Sequence, residues 1–232
     1  MDLIKLLETI SESVYEVMTW LIRVPKTLIK IVVTPAWCSS YLDGELKKDS
    51  REQFQEYMPP VLLWILVAVI PIFFLFTLDP KSGPGGLKGM KDLYGSTTTA
   101  LVAHILLLCS MPLSPAYALH LFQHTPFHKG QFRSLFFTQC YLLSPLILLF
   151  FLVSLSMRAL HISEESDLGT LVVSPVGVYS FWLLYHEVKL VRQQLQSGRG
   201  KAMLVLLTAG ALFMLFACGL FLIVYPLHLM AR

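Results

Sequence analysis

His104 is an ionisable side chain set inside an apolar run, Leu101-Val102-Ala103-His104-Ile105-Leu106. In a lipid-crossing segment such a group must face protein or water, and its chemistry would be proton relay or metal ligation. The simpler reading is a neutral histidine hydrogen-bonded to a neighbouring helix, because no second His, Cys or acidic residue lies at ligand spacing on that stretch. Gln139, Tyr141, Tyr179 and Tyr185 are further polar side chains within apolar runs, suited to interhelical hydrogen bonds. His186 and Glu187 mark the end of another such run, and His120, His124 and His128 recur at a spacing of four with Pro126 between the last two. No GxSxG, HExxH, paired membrane aspartates or Ser/His/Asp arrangement is present. The GPGGLKG stretch lacks the Lys-Ser or Lys-Thr pair and the preceding strand of a phosphate loop. No catalytic, cofactor-binding or metal-ligating residue is predicted, and no enzyme.

The elements that position these groups are set by hydropathy. Of 232 residues, 55% are hydrophobic and only 14% charged, and the mean hydropathy is +0.65. Soluble domains carry about 25% charged residues, so the chain's natural solvent is lipid. A helix needs roughly 20 apolar residues to cross the hydrocarbon. Five runs free of Asp, Glu, Lys and Arg meet that need, predicting spans at about 59–78, 97–122, 134–157, 168–187 and 202–229. The fold class expected is therefore all-α, a five-span polytopic membrane helix bundle over residues 57–232, behind an N-terminal amphipathic interfacial region, 1–56.

In that N-terminal region Leu3, Leu6, Leu7, Ile10, Val14, Val17, Leu21, Val24 and Leu28 recur at helical spacing with Glu8, Glu12, Glu16 and Arg23 between them. The pattern predicts one helix lying at the membrane surface or docked on a partner, with Trp20 and Trp37 as interfacial anchors. Pro25 is expected to kink or end it. Thr34 is read as the N-cap of a following segment and Pro35 as its first-turn residue. The early acidic residues argue against a cleaved signal peptide. Pro59-Pro60 opens the first span, where a missing amide would have had no partner. Pro112, Pro115, Pro145 and Pro175 fall within later spans and are candidate kinks, with Ser110, Ser114, Ser144 and Ser174 nearby to satisfy freed carbonyls.

Thirteen of the 18 basic residues flank one side of the five runs. This predicts a cytoplasmic N-terminus and an external, periplasmic C-terminus. The net charge of +3 is too small and dispersed for nucleic acid. The four cysteines show no metal-like spacing, and three lie in apolar runs where cysteine behaves as a small hydrophobe.

The block from Gly177 to Gly210 has a Trp-containing span (Ser180-Phe181-Trp182-Leu183), a basic Gly- and Ser-containing turn, and Lys201-Ala202 opening the last span. Together with Thr34-Pro35-Ala36-Trp37 and the stretch from Tyr141 to Pro145, it resembles the Yip-domain family (Ypt/Rab-interacting-protein-like membrane proteins), in its bacterial form, over roughly residues 30 to 228. Asp92-Leu93-Tyr94-Gly95 is similar to the DLYGP motif of eukaryotic members, with Ser96 in place of the proline. In those members the motif is cytoplasmic and precedes the first span; here it falls outside, before the second, so Rab binding is not carried over. The resemblance implies a non-enzymatic inner-membrane scaffold or adaptor working through another membrane protein or a homo-oligomer. The alternative is a transporter, channel or lipid-handling permease-like protein using the proline-kinked spans and His104.

Overall fold

The computed structural model describes residues 3–49, 52–71, 97–123, 128–159, 167–196 and 198–230. Among these there are helices and short connections and no strand. The helices are α1 (Leu3–Val33), α2 (Trp37–Glu45), α3 (Pro60–Trp64, continuing as a π-helical turn, Ile65–Val69), α4 (Thr97–Gln123), α5 (Lys129–Ala159), α6 (Asp167–Leu195) and α7 (Arg199–Met230). Three stretches are long and apolar enough to cross a membrane: Leu101–Gln123, Lys129–Ser156 and Gly200–Leu220. They coincide with the predicted spans at 97–122, 134–157 and 202–229. The span predicted at 59–78 is described only to residue 71, as the short apolar helix Pro60–Val69. The stretch 168–187 lies within α6, whose later turns carry Glu187, Lys189 and Arg192. It is not among the three.

Pro60 begins α3 as predicted, and the Leu63 amide donates to the Pro59 carbonyl at 2.9 Å to close the first turn. Thr34 does not act as predicted. Its hydroxyl donates to the Lys30 carbonyl at 3.1 Å, finishing α1, and Ala36 precedes α2 with no side-chain cap. A threonine hydroxyl at this position reaches the carbonyl four residues back in its own helix, a bond that competes with capping the next one. Pro25 does not end α1, which continues for eight residues beyond it to Val33.

The helix α5 is the hub, packing on α1, α2, α3, α4 and α6, while α7 closes against α4 and α6. The main core joins Ile31 of α1, Cys38 and Leu42 of α2, Met58, Leu63 and Val67, Tyr141 and Leu142 of α5, and Leu183 and Leu190 of α6. A second cluster joins Ala116 and Leu119 of α4, Leu135, Val191, and Ala202, Val205 and Ala209 of α7. Small residues at that seam let helices approach closely, which is how helices associate where no hydrophobic force drives them together. Large apolar side chains such as Leu113, Phe150, Leu207 and Leu215 point outward. Only 11% of the Gly200–Leu220 stretch is buried, against 39% for each of the other two, so of these three α7 is the one most given over to its surroundings.

Pro112, Pro115, Pro145 and Pro175 all lie inside unbroken helices. Each removes the bond to the carbonyl four residues earlier. Ser114 donates to Met111 O at 3.3 Å, the carbonyl that Pro115 frees. Ser110 and Ser144 instead bond Leu107 O (2.7 Å) and Cys140 O (2.6 Å), each one residue before the carbonyl freed by the proline that follows.

Leu142→Ala should lower the unfolding free energy by about 2–5 kcal/mol, because it empties a filled site at the meeting of several helices. Leu113→Ala, on an outward position, should change it by less than about 0.5 kcal/mol. Unfolding of both variants in one detergent checks the contrast.

Candidate functional site

The polar groups of the bundle gather at one level of α5, near Gln139 and Tyr141. The chain between α2 and α3 is pressed into the core there, and its backbone needs partners in an apolar setting. Tyr141 Oη donates to Met58 O at 2.6 Å. The Met58 amide donates to Thr27 Oγ1 at 3.0 Å, and the Thr27 hydroxyl donates in turn to Arg23 O at 2.6 Å. Thr27, Met58 and Tyr141 are all fully buried. A single chain of hydrogen bonds thus ties α1, the α2–α3 connection and α5 together.

Aromatic rings enclose this chain. Trp37 stacks on Tyr41 at 4.5 Å between centroids and lies 4.6 Å from Tyr57 and 6.0 Å from Tyr141. Lys26 sits 4.5 Å over the Tyr57 ring and 3.1 Å from Glu56. That ion pair is exposed and adds little on its own. Trp37 is therefore held by protein rings, and Trp20 is partly buried against the same core.

Glu45 pins the connection from the other end. It is buried at the C-terminus of α2, where a negative charge opposes the helix dipole, and so needs donors. Lys48 Nζ donates to its Oε1 at 2.5 Å and the Phe54 amide to its Oε2 at 2.6 Å. Burial pushes the Glu45 carboxyl up, but the Lys48 and Phe54 bonds outweigh it and hold it below the usual carboxylate range. Phe54 has φ 57°, a left-handed conformation uncommon for a bulky residue, and the Glu45 bond fixes its amide there. Burial pushes the nearby Cys38 thiol up to about 12, so it is an inert core group.

Across the α5–α6 interface, Gln139 Nε2 donates to Glu187 Oε2 at 3.3 Å. Gln139 is 1% and Glu187 6% exposed, and the Gln139 Oε1 has no hydrogen-bond partner among the described residues. No ion pair joins Glu187 among the described residues. His186 turns to the side, 4.4 Å from the Trp182 ring and 5.2 Å from Tyr185.

Of the predicted site residues, the structure brings Gln139 together with Glu187 and sets Tyr141 beside Trp37. His104 is half-buried on α4. Among the described residues no three His, Cys, Asp or Glu side chains group as a metal would need. His120 is buried, edge-on to Phe132 at 6.3 Å. His124, the GPGGLKG stretch and Asp92-Leu93-Tyr94-Gly95 lie outside the described residues.

Thr27 and Glu45 were not read as site residues from the sequence. Thr27 had a signal, falling three residues after Val24 and four before Ile31, a polar group on an apolar stripe. Glu45 had a weaker one, an acid closing a short helix. Compared with known proteins, the chain matches no family model, no curated protein and no solved structure.

Tyr141→Phe keeps the ring and strands the Met58 carbonyl, so it should destabilise the chain by about 1–3 kcal/mol, read by thermal unfolding. Because the Glu45 carboxyl titrates lower in the folded chain than its ordinary 4.5, its contribution is complete above that value and falls away as pH drops through the folded-state value. Glu45→Gln should remove this acid-side loss, flattening the unfolding midpoint against pH below about 5 while lowering it at neutral pH.

Proposed function

We propose that this chain is a non-enzymatic membrane scaffold or adaptor, a five-span Yip-like protein of the bacterial inner membrane with a cytoplasmic N-terminus. In this reading α1 is its recruiting arm. The observation that supports it is the outer side of α1. Trp20, Val24, Thr27 and Ile31 share the face that docks on the bundle. Val14, Val17, Met18, Leu21 and Ile22 share another, centred roughly 120° round the helix at 100° per residue. These five are 49% to 72% exposed. Glu12, Glu16, Arg23 and Lys30 fall on the remaining side. A helix anchored by one apolar face and presenting a second is suited to grip the membrane surface or a partner's helix. The thirteen basic residues that flank one side of the predicted spans support the orientation. The partners of this reading are the lipid bilayer and another membrane protein or a second copy, with no nucleic acid and no cofactor.

Because residues from Trp20 onward belong to the core, removing α1 whole would damage the bundle as well as the arm. The sharper test replaces only the outward face: Val17→Ser, Met18→Gln, Leu21→Ser and Ile22→Gln together. The full chain and this variant are extracted into lipid nanodiscs from the native membrane, and their stoichiometric companions are identified by mass spectrometry. The adaptor reading expects a reproducible protein partner with the native chain and its loss from the variant, at an unchanged unfolding midpoint. Equal recovery with both would remove the arm from recruitment.

A transporter, channel or lipid-handling permease is the second reading, favoured by the buried Gln139–Glu187 pair between two helices. Solute flux in reconstituted vesicles that falls with Glu187→Gln and not with His104→Ala would support it. No flux from the native chain would remove that class.

A further inference from the structure

The helices α6 and α7 pack against each other as a hairpin, and at the end of α6 Gln196 takes φ 48°, the left-handed conformation with which helices often end. Along the outer side of this hairpin runs a groove of about 530 Å³. Its floor and walls change character along its length. Phe181, Leu184 and Tyr185 line one part, and Lys189 and Arg192 line the other, where α7 contributes Met203. Phe181 is 77% exposed, so this is an open apolar surface rather than a core contact.

Lys189 and Arg192 are three residues apart on α6 and so lie on one face. Both are exposed, and neither has an ion-pair partner among the described residues. From Phe181 to Arg192 the helix rises about 16 Å at 1.5 Å per residue. The groove therefore matches an amphiphile, cationic at one end and apolar over the length of several methylenes at the other. Its depth is set by α7. Met203 stands in the first turns of Gly200–Leu220, a stretch apolar and long enough to cross a membrane. Lys189 and Arg192, near the turn of the hairpin, lie where that stretch leaves the hydrocarbon, and Tyr185 lies one turn before them, a residue type enriched at that boundary.

We propose that the α6–α7 groove binds an anionic phospholipid, with its phosphate on Lys189 and Arg192 and an acyl chain along Tyr185, Leu184 and Phe181. The guanidinium offers paired donors to phosphate oxygens and the ammonium adds a point charge. A zwitterionic lipid brings its own cation to the same place and gains less. This assignment needs only α7 as a membrane-crossing helix, so it stands or falls apart from the adaptor reading.

The full chain is placed in nanodiscs of equal phosphatidylglycerol and phosphatidylcholine, released, and weighed intact by native mass spectrometry. Retained phosphatidylglycerol should exceed phosphatidylcholine. That excess should drop about thirtyfold in the double variant Lys189→Gln, Arg192→Gln, as two cations contribute at an anionic surface, and survive in Lys189→Arg, Arg192→Lys. Equal retention of the two lipids by the native chain overturns the proposal, as does a native-like excess in the neutralised variant or a lipid-free dimer seated on this face. The preference of the native chain is read on the unaltered protein, so it decides the matter even where the neutralised variant fails to fold.

Discussion

The bundle depends on one constraint, that a backbone entering an apolar interior must bring its hydrogen bonds with it. Between α2 and α3 the chain leaves helical geometry and is still buried at Met58. The amide and carbonyl of that residue are met by Thr27 and Tyr141, from helices far apart in sequence. The remaining features of this level follow. The rings of Trp37, Tyr41 and Tyr57 shield the bonds from water, and Glu45 holds the connection by its other end. Low local dielectric makes such a set valuable when complete and costly when one member is missing.

That arrangement gives α1 a dual nature. Its second half is a structural strut, sharing a core with α2, α3, α5 and α6. The outer face remains apolar and unburied along Val14, Leu21, Ile29 and Val33. A surface helix free of the bundle would slide and rotate with the lipid; one tied through Thr27 presents its second face in a fixed direction. For an adaptor, that fixed direction is the useful property, because ordering the arm beforehand lowers the entropy lost when a partner docks.

Charge is distributed with the same economy. Among the described residues Glu187 is buried with no ion-pair partner and takes the amide of Gln139, while Lys189 and Arg192, two and five residues later, are exposed with no ion-pair partner there. One helix thus carries an acid inward and bases outward, none of them ion-paired among the described residues. The inward acid couples α6 to α5, and the outward bases face whatever negative charge the membrane boundary supplies.

Much of the architecture was legible because hydropathy and helical periodicity are local quantities. Long charge-free runs around His104, Gln139 and Ala209 name themselves as apolar helices, and Pro59-Pro60 names the start of another. Single polar residues were legible as exceptions: Gln139 and Tyr141 stood out against apolar neighbours, and Glu187 was legible as the end of a run. What they bond to was not legible, since Gln139 and Glu187 are 48 residues apart and Tyr141 and Met58 are 83 apart, and no local pattern encodes a partner at that distance. Thr34 was misread because its hydroxyl has two carbonyl and amide environments within reach, and only the path of the chain after α1 selects between them. By itself, then, the sequence determined that this is a helical chain for an apolar solvent, with few and scattered chemical groups. Tertiary structure alone decided which of those groups meet, which face of α1 is spent on the core, and where exposed cations border an open groove, because each depends on helices packing across loops whose length the sequence states and whose direction it does not.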